Sequence, residues 1–175
     1  MTLNCNGQLI DLNTPKVMGI LNVTPDSFYD GGRFKDQKSV LTQTEKLLKE
    51  GATFIDIGAY SSRPGADFVS ENEELKRLLP IVNSVIKTFP NCLISIDSFR
   101  SRVIKASVEL GAAMVNDISG GQLDPLMFGT VGALDVPYIM MHMRGTPQIM
   151  AEMTDYSDVV KDVYTYFSER IQLAR

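Results

Sequence analysis

Short apolar segments alternate along the chain with longer amphipathic segments, and this alternation predicts its secondary structure. Five apolar segments have the length of a strand and few polar residues, which is typical of parallel strands covered on both faces. They are residues 16–21, 53–57, 93–97, 113–116 and 137–142. Before them, the alternating pattern of residues 3–12 around Asn6 and Gly7 predicts a β-hairpin with a tight turn.

The segments between the strands carry apolar residues at the spacing of an amphipathic helix. The predicted helices cover residues 38–50, 71–88, 100–110, 125–134 and 156–174. Gly51 and Gly111 provide helix stop signals, and residues 70–73 predict a capping box at the start of the second helix. The last helix places one apolar stripe at helical spacing, formed by Val159, Val160, Val163, Phe167 and Ile171.

This order of elements predicts a parallel α/β fold, either a doubly wound sheet or a (β/α)₈ barrel. Residues 22–25 are Asn-Val-Thr-Pro, where a dinucleotide-binding doubly wound protein would have a glycine-rich turn. Polar residues after every strand favour the barrel, whose sites use all the loops of one face. A barrel has eight strands and typically about 250 residues. We therefore expect residues 1–175 to form one domain, a TIM-barrel type truncated to the hairpin and about five βα units.

Each predicted strand ends in a polar residue where a loop begins. These residues are Asn22, Asp56, Asp97, Asn116 with Asp117, and His142. A carboxylate beside an amide would match the donors and acceptors of a flat heterocycle, although each residue alone could cap a turn. Their recurrence at one edge of the sheet favours a binding site.

Two of these positions keep a structural interpretation. Asp56 lies inside an apolar strand, so a carboxylate paired within the fold is at least as consistent as a ligand contact. We interpret His142 as a hydrogen-bonded structural residue, and we expect Met141 beside it to face a ring.

Composition excludes several functions. The net charge of −4 argues against general binding of nucleic acid or membrane surfaces. No segment has the roughly 18 apolar residues of a membrane span, and no leader pattern is present, so we expect a cytoplasmic protein. Cys5 and Cys92 are predicted to be free thiols, and one histidine excludes a multi-histidine metal site within this chain.

Two long connections, residues 24–35 and 58–70, follow the first two strands of the predicted sheet. Both contain small hydroxyl residues, glycines and an arginine. An arginine offers a planar fork of donors to a carboxylate or phosphate, so these connections suit an anionic ligand. The alternative is that both are ordinary solvated loops.

Five segments resemble the dihydropteroate synthase family in order and spacing, from about Lys16 to the end of the chain. They are ILNVTPDSFYDGG, GATFIDIGAYSSRPG, ISIDSFR, VNDISG and MMHMRGTP. The resemblance implies a (β/α)₈ barrel and a transferase of folate biosynthesis. Such enzymes condense 6-hydroxymethyl-7,8-dihydropterin diphosphate with p-aminobenzoate, release diphosphate, use Mg²⁺, are targets of sulfonamides and are commonly homodimers.

The resemblance also implies roles for particular residues. Asn22 and Asp30 would bind Mg²⁺, Asn22 would also contact the diphosphate, and Arg63 would hold that departing group. The p-aminobenzoate pocket would be shaped by Phe28, Ser62 and Pro64. The pterin would be bound by Asp97 and Asn116 and lined by Met141. Asn22, Arg63 and Asp97 would thus act in catalysis, because they stabilise the charges that separate as diphosphate leaves.

The sequence departs from the family in two respects. Residues 59–62 are Ala-Tyr-Ser-Ser, where many members have Gly-Glu-Ser-Thr, so Tyr60 would alter the rim of the arylamine pocket. The family's later Asp-Pro-Gly, Ser-Arg-Lys and Arg-x-His motifs are absent from the 175 residues. We therefore expect the chain alone to be inactive or nearly so, and to self-associate through exposed barrel edges.

Two alternatives remain open. The first is the related pterin-binding methyltransferase module, against which the NVTPDSF and SSRPG segments argue, because that module needs no diphosphate loop. The second is a non-catalytic half barrel that binds pterin or a partner chain without turnover.

Overall fold

An antiparallel hairpin opens the fold in the computed structural model, which describes residues 1–23, 33–60 and 68–175. Strand β1 covers Thr2–Cys5 and β2 covers Gln8–Asp11. Asn6 and Gly7 between them both have a positive φ, 51° and 80°. Two such residues in sequence form the turn whose twist matches that of the strands, so the predicted hairpin is confirmed.

Five parallel strands follow and form one sheet. They are β3 (Met18–Asn22), β4 (Phe54–Gly58), β5 (Leu93–Asp97), β6 (Met114–Asp117) and β7 (Tyr138–Met140). Their order in the sheet is their order in the chain, β3 to β7. A doubly wound sheet reverses its strand order, whereas a barrel adds each strand beside the last. The described sheet therefore has the order of a barrel.

The described helices are α1 (Arg33–Lys49), α2 (Glu71–Thr88), α3 (Ser101–Leu110), α4 (Met127–Leu134) and α5 (Val159–Leu173).

Only half of the capping box predicted for α2 forms. The Ser70 hydroxyl accepts a hydrogen bond from the backbone N–H of Glu73 at 3.3 Å. The Glu73 carboxylate pairs with Arg77 at 2.8 Å instead of returning to Ser70.

The last strand is shorter than the predicted range 137–142. The backbone N–H of Met141 still donates to the carbonyl of Asp117, the last residue of β6. Beyond that point β6 has ended, so within the described part of the chain His142 pairs with no strand.

The two faces of the sheet differ in what covers them. One face packs its apolar side chains, such as Ile57 and Ile96, against the helices. On the other face the hairpin residue Cys5 packs against Phe54, Leu93 and Met114 at the beginnings of β4, β5 and β6. The hairpin therefore closes the amino ends of the strands, and the polar residues lie at the opposite, carboxyl ends.

Helix α5 is packed less tightly than the others, and none of its side chains is buried. Val160 of the predicted apolar stripe is 76% exposed. Phe167 of the same stripe lies near the His142 ring. The stripe is thus only partly covered.

Among the described helices, none combines the length and apolar character needed to cross a membrane.

Candidate functional site

Alternation along the strands places three of the polar strand-end residues on one face of the sheet, which we call the inner face. The register aligns Asn22, Gly58, Asp97 and Asn116 across four neighbouring strands. Since residues paired across parallel strands point to the same side, Asn22, Asp97 and Asn116 share the inner face at its carboxyl edge. The structure thus brings these three predicted site residues to one level of the sheet.

Asp56 and Ser95 lie one layer deeper on the inner face, paired in register. The Asn116 amide donates to Asp56 Oδ2 at 2.9 Å. Among the described residues, the other Asp56 oxygen, Oδ1, and the Ser95 hydroxyl are buried and have no well-aligned hydrogen-bond partner. Buried polar atoms are nearly always paired, so unpaired ones indicate a place for a further polar group.

These observations add a residue that sequence reasoning left undecided. Asp56 is both paired within the fold and open on one oxygen, so the two interpretations of this residue are not exclusive. Burial raises the pKa of Asp56, while the neighbouring Ser95 hydroxyl and the Asn116 amide oppose that rise. Ser95 was missed, because a serine inside an apolar strand gives no signal of its own.

Asp97 carries the most perturbed carboxyl group of the inner face. Burial, together with the negative charges of Asp56, Glu74 and Asp117, raises the pKa of Asp97 to about 7. A side-chain carbon on Gly58 would lie 3.0 Å from the Asp97 carboxylate, so a larger residue there would have to displace the Asp97 side chain by a few tenths of an ångström. Asp97 therefore exchanges a proton near neutral pH, which an exposed aspartate does not do.

Asp117 points to the opposite face, and its role is structural. Oδ1 accepts hydrogen bonds from the N–H and the hydroxyl of Ser119, at 2.7 and 2.8 Å. Oδ2 accepts from the Gly121 N–H at 2.9 Å and from the Tyr138 hydroxyl at 2.6 Å. The side chain is fully buried. The sequence analysis considered Asn116 and Asp117 as one group, whereas the structure places their side chains on opposite faces of the sheet.

Met141 follows β7 directly and is 36% exposed. That its side chain faces a ring stays a prediction. His142 is half-buried, with its ring centroid 4.7 Å from that of Tyr166 in an edge-on arrangement. The Tyr166 hydroxyl lies 3.0 Å from the carbonyl of Met141. These contacts agree with a structural role for His142, although they are aromatic contacts rather than the expected hydrogen bond.

The remaining predicted site residues lie outside the described part of the chain. They are Phe28, Asp30, Ser62, Arg63 and Pro64. Tyr60, expected at the rim of the arylamine pocket, is described and is largely buried. Its ring stands edge-on against Phe99, with the centroids 5.2 Å apart. Tyr60 therefore packs within the fold.

Comparison with known proteins gives one family. The family model described as "Pterin binding enzyme" matches residues 18–175. The dihydropteroate synthase of Haemophilus influenzae is 44% identical over 170 residues, which are 97% of this chain and 61% of that protein.

Solved structures agree. The dihydropteroate synthase of Yersinia pestis, in complex with a sulfonamide drug, is 40% identical with a TM-score of 0.89 and covers 99% of this chain. That of Xanthomonas albilineans with 4-aminobenzoic acid is 38% identical with a TM-score of 0.87, again over 99%. The chain spans 62% and 60% of those two structures. Their agreement with the sheet order and with the matched motifs shows that this chain belongs to the pterin binding enzyme family.

Proposed function

We propose that the chain is the pterin-binding part of a dihydropteroate synthase. That enzyme joins 6-hydroxymethyl-7,8-dihydropterin diphosphate to p-aminobenzoate and releases diphosphate. The observation that carries the proposal is the inner-face group of Asp56, Asp97 and Asn116, with the unpaired buried oxygens of Asp56 and Ser95. A pterin ring offers amino and ring N–H donors to carboxylates, and an amide side chain supplies both a donor and an acceptor.

The charge of Asp97 suits the chemistry. As diphosphate leaves the pterin methylene group, positive charge develops on the pterin, and a nearby carboxylate stabilises it. Because its pKa is raised to about 7, Asp97 in the ligand-free chain can take either the neutral or the ionised form near neutral pH. Donors of a bound pterin would favour the ionised form. The amine of p-aminobenzoate then attacks the methylene carbon, and we assign its pocket to Phe28, Ser62 and Pro64.

We assign the diphosphate end to Asn22, Asp30 and Arg63. Asn22 is half-buried at the carboxyl edge, and its amide oxygen is a ligand type that a hard cation accepts. Mg²⁺ usually takes one or two protein ligands and completes its shell with phosphate oxygens and water, so Asn22 and Asp30 would suffice as its ligands from this chain. When bound, Mg²⁺ supplies positive charge beside the departing diphosphate.

Binding of pterin is the first test. We expect calorimetry with 6-hydroxymethylpterin to show binding at the inner face. The substitution Asn116→Ala should weaken it about tenfold or more, because Asp56 and the pterin both lose a partner. Arg102→Met, which removes a surface ion pair with Glu71, is the matched control and should bind as the wild type does. Absence of binding, or equal binding by the Asn116 variant, would contradict the proposal.

Turnover separates the alternatives. The Asp-Pro-Gly, Ser-Arg-Lys and Arg-x-His motifs are not among these residues, so we expect pterin binding with little or no diphosphate release in the presence of p-aminobenzoate and Mg²⁺. Release that a sulfonamide blocks would show that the chain needs no further strands. If pterin binding does not depend on a diphosphate group or on Arg63, the non-catalytic half barrel is favoured.

We further propose that the chain self-associates through the outer strands of its sheet. Ile20 of β3 is 67% exposed, and Ile139 of β7 is 38% exposed. Both lie on the inner face of the two end strands, in register with Asp56 and Asn116. Unpaired strand edges with apolar side chains are association sites. We expect light-scattering chromatography to show species larger than a monomer, and Ile20→Lys to reduce them. Leu9→Lys, at a 75% exposed position in the hairpin, is the control. A single monomer peak for the wild type would contradict this.

A further inference from the structure

A buried ion pair contacts the chain directly after Asp97, at the end of β5. Glu74 of α2 is fully buried, and its Oε2 accepts a hydrogen bond from Arg100 Nη1 at 2.6 Å. Its Oε1 accepts from the hydroxyl of Ser98, the residue after Asp97, at 2.7 Å. The Arg100 side chain is only 12% exposed. Both oxygens of Glu74 therefore hold the chain where it leaves β5.

Arg100 also reaches the connection that follows β4. Its Nη2 donates to the carbonyl of Val69 at 2.7 Å. Its guanidinium carbon lies 5.3 Å from the ring centroid of Tyr60, 5.2 Å from that of Phe99 and 5.8 Å from that of Phe68. One guanidinium group thus contacts both described flanks of the β4 connection, Tyr60 on one side and residues 68–69 on the other.

We propose that Arg100 is a positioning residue, which ties the carboxyl end of β4 to that of β5 and so fixes Asp97 relative to the connection after β4. The proposal depends on the proposed function in one respect only, which is the identity of the ligand that this arrangement serves. The planar fork of arginine can pair with a carboxylate and a carbonyl at the same time, which the single ammonium group of lysine does less well. Glu74 is the anchor that holds the fork in place.

Stability alone does not account for this pair. Replacing both members of a buried ion pair by neutral groups is often neutral or stabilising, whereas removing one member leaves an unpaired buried charge. Glu74 also lies close enough to act on the site by charge, because it is one of three acidic groups that raise the pKa of Asp97, with Asp56 and Asp117.

The test compares four proteins: the wild type, Arg100→Met, the double variant Glu74→Gln with Arg100→Met, and the control Arg102→Met. Hydrogen exchange reports local opening at residues 59–60, 68–69 and 97–100. We expect about tenfold faster exchange there in both Arg100 variants, and an unchanged exchange rate in the control. The double variant, which leaves no unpaired charge, should keep the urea midpoint of the wild type.

A second measurement distinguishes positioning by this pair from simple packing. Carbon-13 NMR of Asp97 should show its pKa falling by about one unit in Glu74→Gln, because a nearby negative charge is removed. Unchanged local exchange in the double variant, or an unchanged Asp97 titration, would overturn the proposal. Neither readout requires ligand. Failure of the wild type to bind 6-hydroxymethylpterin would therefore count against the proposed function and leave these two results to decide the role of Arg100.

Discussion

Asp117→Ala is expected to lower the free energy of unfolding by about 4 kcal/mol or more, which is a large share of the roughly 5–15 kcal/mol of a typical domain. The carboxylate accepts four hydrogen bonds in a fully buried position. Each hydrogen bond to a charged group is worth about 1.5–3 kcal/mol, and removing the acceptor leaves its donors unpaired. Urea denaturation followed by circular dichroism measures the loss.

The neighbouring residue supplies the control. Asn116→Ala removes one described hydrogen bond and leaves the buried Asp56 carboxylate without that partner, so we expect it to cost about 1–3 kcal/mol. Asn116 faces the inner side, so its substitution should instead weaken pterin binding. Two adjacent substitutions are thus expected to act mainly on different properties, one on stability and one on binding. An Asp117 variant with the urea midpoint of the Asn116 variant would show that the hydrogen bonds around residues 119–121 contribute little.

This contrast shows how far the sequence alone could go. The apolar segments predict the five strands to within a few residues, because a strand covered on both faces must be apolar almost throughout. They do not show which way a polar residue at a strand end points. Asn116 and Asp117 are equally polar and adjacent, and only the register with β5 assigns Asn116 to the face of Asp97.

Other parts of the site had no readable signal. Glu74 lies among the acidic residues of the first turn of α2, a pattern that indicates an exposed, favourable helix start. Its complete burial depends on Ser98 and Arg100, which come from another element. Such a pairing is a long-range contact, and local periodicity carries no information about it. The predicted end of the last strand failed for a similar reason, since strand length depends on the neighbouring strand.

Asp97→Asn is expected to stabilise the chain at pH 8 and to do so by much less at pH 4. The unfolded aspartate has a pKa of about 3.9, whereas the pKa of Asp97 in the fold is raised to about 7, mainly by burial. Between these values the folded state holds a proton that the unfolded state has lost. The stability of the wild type therefore falls as the pH rises from about 4 to about 7. Asparagine has no such charge to bury.

The size of the effect follows from the shift. At 1.36 kcal/mol for each unit, a rise of about three units gives a gain for Asp97→Asn of at most about 4 kcal/mol at pH 8. Urea denaturation of both proteins at pH 4 and pH 8 measures this difference, and the pH 4 pair is the internal control. The same substitution should weaken binding of 6-hydroxymethylpterin, because the amide presents a donor where the pterin needs an acceptor. A variant that is more stable and binds less would indicate that the carboxylate is retained for ligand binding at a cost in stability. An equal gain at both pH values would instead attribute the effect to packing and remove the electrostatic explanation.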